Sequence, residues 1–388
     1  MRPSSPACAV APIRRLPPSP ARCRARSRRC CNTCRVKKAW RVRLDEPSWW
    51  YPQTPRRIAT FLQPLGALYG WAVAARYFRA TPYRSRLPII CIGNFTAGGT
   101  GKTPLAVYLC ERLKAAGHEP AALTRGYGGR LYGPYWVNGR SDVARDVGDE
   151  ALLLAKAAPT LVARDRRIGA RAIEIGPHPV TVVVMDDGLQ NPALAKDLTI
   201  AVIDGGRGLG NGLVMPAGPL RAALEFQLEL TDAIVVNESA ADASTGSPVT
   251  AWLRHRFAGP VLRASVVPAG STDWLKAARV VAWAGIGAPQ RFFATLQALD
   301  ADVVETIAFR DHQWLGEDDA RRLLDLARRH SAALVTTEKD MARLAGAHGL
   351  CGELKGATRV VPVRLTLADP DAERLFSLIA TALQAPRS

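Results

Sequence analysis

Residues 88–103, PIICIGNFTAGGTGKT, decide how the rest of the chain is read. The run 88–94 is short, apolar and strand-like, TAGGTGKT (96–103) is a glycine-rich loop, and PLAVYLCERLKAAGH (104–118) has helical periodicity closed by Gly117. Strand, loop and helix in that order are the setting of a phosphate-binding loop, with the helix N-terminus behind the phosphates. The standard loop opens on glycine, and here Thr96 holds that position. The cradle needs successive backbone N–H groups to converge, and Gly98, Gly99 and Gly101 give the permissive backbone for it. The loop therefore reads as Thr96, Ala97, Gly98, Gly99, Thr100, Gly101, Lys102 and Thr103 around the phosphates of ATP. Lys102 suits the β- and γ-phosphates and the Thr103 hydroxyl suits Mg2+.

Outward from the loop, strand-like runs recur at 120–124, 160–164, 180–186, 198–204 and 233–237, separated by helical stretches. Such alternation predicts an α/β fold of the P-loop NTPase type, a parallel sheet with helices on both faces. The run VTVVVMDDG places Asp186 and Asp187 at a strand end, where a Walker B carboxylate holds magnesium or its water shell. A second α/β run, with strands at 279–286, 301–309, 332–338 and 359–365, predicts a smaller C-terminal α/β domain beyond a boundary near 270. The expected divisions are 1–44, 45–80, 81–270 and 271–388.

The formal charge of +18 is not spread evenly. Residues 1–43 hold 13 Lys or Arg and no acid, leaving 39 basic against 34 acidic residues beyond them. That extension also carries Cys8, Cys23, Cys30, Cys31 and Cys34 but no apolar periodicity, so it cannot build a core. It is expected to be disordered, or to precede a translation start near Val42. Cys23, Cys31 and Cys34 offer zinc-like spacing without a fourth ligand, and no apolar segment marks a signal peptide. Cys91, Cys110 and Cys351 show no disulfide pattern, as suits a reducing compartment.

The segment 58–75 carries no charge over 18 residues, at the lower edge for spanning a bilayer, and contains Pro64, Gly66 and Gly70. Ile58, Phe61, Leu62, Leu65, Leu68, Tyr69 and Ala72 share one helical face, flanked by Arg56, Arg57, Arg76 and Arg79 and by Trp49, Trp50 and Tyr51. This predicts an N-terminal membrane-associated helix lying on an anionic membrane surface, with a core helix as the alternative.

The remaining motifs are weak singly. In VGDE (147–150) Asp149 reads equally as a helix cap, and in FRDH (309–312) Asp311 as a loop acid. Together with GNFTAGGTGKTP (93–104), TRGYGG (124–129), DDGLQ (186–190), PAGPLR (216–221), GIGAPQRFF (285–293) and TTEKD (336–340), they resemble the tetraacyldisaccharide 4′-kinase family from about Trp49 to the end. The resemblance implies ATP-dependent phosphorylation of the 4′-hydroxyl of a tetraacylated glucosamine disaccharide 1-phosphate in lipid A synthesis. The enzyme would be peripheral, at the cytoplasmic face of a bacterial inner membrane, with no nucleic-acid partner. It further implies Asp149 as base, His312 of the Asp311–His312 pair assisting, Arg221 steadying phosphate charge, and Arg125 and Gln190 near the substrate. Thr96, Ala151 and Ala222 depart from the family pattern. Ala222 replaces a glutamate usual near the metal, so that Asp186, Asp187 or Glu225 would have to compensate.

Two other readings compete. Partitioning and cluster-assembly ATPases have a similar loop, but with a lysine where this chain has Ala97. The basic extension alone suggests a nucleic-acid binder, a reading that depends wholly on residues 1–43.

Overall fold

The computed structural model describes residues 46–47, 49–51, 57–239, 242 and 245–385. The extension 1–44, with its candidate zinc cysteines, and Arg56 lie outside the described residues. The apolar run of the opening motif forms β1 (Ile89–Gly93), buried at all five positions as a strand covered on both faces must be. The strands that follow are β2 (Pro120–Thr124), β3 (Tyr135–Trp136), β4 (Thr160–Val162), β5 (Val182–Asp186), β6 (Leu198–Asp204), β7 (Ala233–Glu238) and β8 (Val261–Pro268). After them come β9 (Arg279–Ala284), β10 (Asp302–Ala308), β11 (Ala333–Thr336), β12 (Thr358–Val360) and β13 (Val363–Leu367).

Nine strands make one sheet in the order β13, β8, β7, β6, β1, β5, β2, β4, β3. It is parallel except at its edges, where β13 opposes β8 and β3 opposes β4. A four-stranded parallel sheet, ordered β10, β9, β11, β12, forms the smaller unit. The helix Lys102–Ala115 turns Leu105, Ala106, Leu109, Cys110 and Leu113 onto the large sheet, at the spacing an amphipathic helix requires. On that face the closing helix Asp369–Gln384 adds Leu375, Ile379 and Ala382 to the same core. Ala170 and Ile173 of the helix Arg166–Glu174 pack on the opposite face.

The run 359–365, read as one strand, is two. Pro362 has no N–H to give a ladder, so pairing stops at Val360. The chain then leaves the small sheet and resumes as β13 on the large one. The expected segment 271–388 is thus shared between the two sheets. The short strand β3 and the eight-residue β8 were not anticipated from sequence.

The N-terminal helix spans Arg57–Arg79 and includes Pro64. Its buried positions are Ala59, Gly66 and Gly70. A Cβ on Gly66 would stand 2.6 Å from the Val214 carbonyl oxygen, so the absence of a side chain is what lets the helix dock. The large apolar residues point away from the protein: Phe61 is 85% and Phe78 72% exposed, and Ile58, Leu65, Leu68, Tyr69 and Trp71 are exposed beside them. The core-helix alternative is therefore not what the fold contains. By length and composition this helix is apolar enough to cross a membrane.

Gly66→Leu should force the helix off its seat on Val214 while leaving the large sheet intact. Overpacking of this kind costs ~1–3 kcal/mol. Limited proteolysis should then cut within 57–79 faster than in wild type, and equal cutting rates would contradict the docking described.

Candidate active site

The loop 96–103 leaves β1 at the point where the strand order reverses, with β5 on one side and β6 on the other. In the β1–β5 register Ile92 lies opposite Asp186, which brings the acidic pair of β5 beside the loop. Gly98 and Gly101 have φ of +103° and +96°, a region closed to ordinary side chains. Thr96 takes a different conformation. It is bridged in extended form to Leu220, with Ala97 N donating to Pro219 O and Arg221 N donating to Phe95 O, each at 2.8 Å. An extended position needs no glycine, which is why threonine is accommodated there.

A polar brace holds the loop from below. The buried Asn94 amide donates to Thr96 O at 2.6 Å and to Gly98 O at 3.3 Å. Gln190 donates to Asn94 O at 2.8 Å and to Gln227 Oε1 at 2.7 Å, and Gln227 donates to Ala222 O at 2.9 Å. The Gln190 amide is thus directed at the loop's supports. Arg125 is exposed just beyond β2.

Asp186 at the end of β5 and Asp187 just beyond it have opposite environments. Asp187 Oδ1 is 2.6 Å from Arg221 and 3.6 Å from Lys102. Burial alone would raise its carboxyl, but Arg221 and Lys102 outweigh burial and hold it well below the usual carboxylate range. Arg221 also donates to Thr96 O at 3.1 Å, tying the PAGPLR segment to the loop. Asp186 is 1% exposed, and neither of its oxygens has a hydrogen-bond partner. Burial, reinforced by Glu150 and Asp187 and opposed by Lys102 and Arg166, pushes it up to about 7. A buried carboxylate without a donor is a seat for a cation. Among the described residues no His, Cys, Asp or Glu cluster would hold a metal ion unaided. Magnesium needs none, since it is usually bound by one or two carboxylates plus substrate phosphates. Asp186, Asp187 and the buried Thr103 fit that pattern. Ala222 is fully buried, whereas Glu225 is exposed and lies 3.5 Å from Arg256, so the missing glutamate has no replacement from that side.

Across the cleft, the small sheet brings its own residues to the loop. A Cβ on Gly287 would stand 2.8 Å from Gly99 Cα, so two glycines permit the close approach. Arg291 pairs with Asp204 at 2.6 Å and donates to Asn237 O at 3.1 Å. Asp149 begins the helix Asp149–Ala157 and is 3% exposed. Its Oδ2 is 3.0 Å from both His312 Nδ1 and Arg343 Nε. Burial alone would raise Asp149, but Lys339, His312 and Arg343 outweigh it and hold the carboxyl well below its ordinary range. Asp311 stands farther off, 3.7 Å from His312 Nε2.

Sequence reading paired Asp149 with His312 but missed Lys339, Arg343, Arg166 and Asn94. TTEKD contains Lys339, and Arg343 lies three residues beyond its Asp340, within one helical turn. Buried Arg166 donates to Asp186 O at 3.1 Å, and nothing local in ARDRRIG distinguishes it from its arginine neighbours. A buried carboxylate paired with a histidine, on the same cleft as a glycine-rich loop and an unpartnered strand-end carboxylate, is an arrangement suited to phosphoryl transfer to a hydroxyl.

Comparison with known proteins agrees. A family model described as tetraacyldisaccharide-1-P 4′-kinase matches residues 58–384. A protein of Bradyrhizobium diazoefficiens named tetraacyldisaccharide 4′-kinase is 44% identical over 346 residues, covering 89% of this chain and 98% of its own. One of the same name from Methylorubrum extorquens is 46% identical over 342 residues, covering 87% and 99%. The crystal structure of LpxK from Aquifex aeolicus in complex with ATP superposes with a TM-score of 0.64 at 24% identity, covering 84% of this chain and 99% of that one. The last supports the fold.

The unpartnered Asp186 has a measurable consequence in the metal-free protein. A carboxyl raised on folding destabilises the native state increasingly as pH rises from the unfolded value, ~4, to the folded value. Asp186→Asn should therefore be more stable than wild type by a margin that opens over that range and is constant above about 7. A margin of ~2–4 kcal/mol is expected from urea unfolding with a chelator present. A pH-independent difference would contradict it.

Proposed function

The chain belongs to the tetraacyldisaccharide 4′-kinase family, ATP-dependent lipid kinases of lipid A synthesis, and we propose that Asp149 is the residue that takes the proton of the acceptor 4′-hydroxyl. The substrate is a lipid A precursor disaccharide. The observation that carries the residue assignment is the convergence of Asp149, His312 and the loop 96–103 in one cleft.

In this reading the loop N–H groups and Lys102 hold the ATP phosphates, and Arg221 steadies Lys102's neighbour Asp187. Asp186, Asp187 and Thr103 would hold Mg2+, which would supply positive charge against that of the ATP phosphates. The 4′-oxygen forms a bond to the γ-phosphorus as the bond from that phosphorus to the β–γ bridging oxygen breaks. The hydroxyl proton passes to the Asp149 carboxylate and ADP departs. An acid held ionised by cations is a weak base, but phosphoryl transfer asks chiefly for orientation of the hydroxyl, with the proton leaving late. Arg125, exposed at the mouth, suits the anionic acceptor, and Gln190 acts through the loop brace. The nine-stranded sheet carries the kinase lobe, and the small sheet supplies His312, Lys339 and Arg343.

We place the enzyme at the cytoplasmic face of the inner membrane, where ATP and an acylated substrate meet. The exposed apolar face of Arg57–Arg79, with Arg76 and Arg79 at its end, supports attachment to an anionic surface. No nucleic-acid partner is expected, because the charge excess beyond residue 43 is small. A partitioning-type ATPase would carry a lysine at Ala97 and is not favoured.

A labelled-ATP transfer assay in detergent tests the activity. Asp149→Asn should bind ATP and lose ~10²–10⁴ in transfer, the usual worth of acid–base assistance. His312→Ala should lose less, and the double variant no more than Asp149→Asn, since residues acting as a unit are non-additive. Fully multiplicative losses would break the pairing.

Placing acids at Phe61 and Leu65 should release the protein from anionic liposomes, whereas deleting residues 1–43 should leave binding largely intact. The reverse result would move membrane attachment to the basic extension.

A further inference from the structure

Arg207, in the run GGRGLGNG (205–212), brings to the phosphate-binding loop a cation that the site described above does not use. β6 is a neighbour of β1, and its last residue, Asp204, accepts from Gly206 N at 3.0 Å and from Arg207 N at 2.9 Å. The turn carrying Arg207 is thereby pinned at the strand end. Its side chain reaches the loop, with Nη1 3.6 Å from where a Cβ on Gly98 would stand. An acid shares that place. Glu46 Oε1 would collide with the same Cβ, and the two Glu46 oxygens meet Arg207 Nη1 at 2.9 and 3.2 Å. We infer that Arg207 is a phosphate-binding residue of the nucleotide site and that Glu46 is an internal anion competing with ATP for it.

The guanidinium is held ready and is far from saturated. It has five donors, and among the described residues its side chain gives hydrogen bonds to one carboxylate through one nitrogen. The Tyr51 ring, its centroid 5.1 Å from the Arg207 Cζ, steadies the group from one face. The fork of an arginine fits phosphate as it fits carboxylate, so one anion can replace the other. Glu46 is a poor permanent neighbour for such a loop. Burial pushes its carboxyl up, Arg207 opposes this, and Asp311 and Asp204 add to the rise. Phosphates seated in the loop would add like charge where Gly98 already leaves no spare room. The chain behind the acid is fixed independently of it: Asn211 donates from its backbone to Trp50 O at 2.8 Å and from its amide to Trp49 O at 3.0 Å, and the Trp50 indole donates to Pro216 O at 3.1 Å. The partly exposed carboxylate can therefore turn away while the tryptophans stay docked.

The inference rests on the kinase reading for the identity of the nucleotide, and binding is measured apart from transfer. The full chain is titrated with ATP and Mg2+ in a calorimeter, without lipid acceptor. Arg207→Met, which keeps the apolar stem, should weaken ATP binding by about tenfold or more, the scale of one charge-assisted contact. Glu46→Gln should tighten it severalfold. These opposite signs separate the inference from a purely structural pair, which when broken from either side would weaken ATP binding or leave it unchanged. In the double variant the gain from Glu46→Gln should shrink, since the acid then has no arginine to withhold, whereas two remote charges would add independently. Wild-type affinity in Arg207→Met, no tightening in Glu46→Gln, or a gain that persists in full in the double variant would overturn the inference. Should Arg207→Met fail to fold, the sign of the Glu46→Gln change decides alone. Wild type that binds no ATP would sink the kinase reading together with the inference, whereas wild type that binds it beside unaffected variants would sink the inference only.

Discussion

An ionised carboxylate at 3% exposure cannot exist without cations, and those of Asp149 come from the other sheet. Arg343 and Lys339 belong to the segment after β11, and His312 to the loop after β10. Leaving such a charge without its partners would cost several kcal/mol, more than a typical surface contact returns. Pairing Asp149 with residues of the small sheet therefore helps hold the two sheets together around the cleft. Arg343 in turn donates to Gly285 O at 2.7 Å, so the same guanidinium fixes the start of the GIGAPQRFF segment that meets the phosphate-binding loop.

The loop itself is arranged on the opposite principle, with charges left incompletely matched. Asp187 is compensated by Arg221 and Lys102, but Asp186 has no donor and sits beside it. Incomplete satisfaction at this point is where a metal and triphosphate would add interactions available only when bound. Ala222 is buried and Glu225 is turned to the surface beside Arg256, so neither adds a carboxylate beside Asp186.

The N-terminal helix shows how a motif can be right while its packing logic is inverted. Its apolar residues share a face as their spacing indicates, yet the face that docks is the one made of Ala59, Gly66 and Gly70. Small residues allow close backbone approach to Val214, and the bulky side chains are left outward where lipid can cover them.

The sequence by itself determined the loop and most strands of the parallel sheet, and the pairing of Asp149 with His312 came from the family resemblance that its motifs carry. Glycine spacing, apolar runs and motif order are local properties, and β2 and β6 begin and end where their apolar runs do. Only the tertiary structure decided the roles of Lys339 and Arg343. Lys339 meets Glu150 and Arg343 meets Asp149, each about 190 positions away, and nothing in their own neighbourhood records that. It also decided that Thr96 is extended against Leu220, and that Pro362 sends the chain back to the first sheet. Both depend on strands that pair across long separations, which residue spacing cannot express.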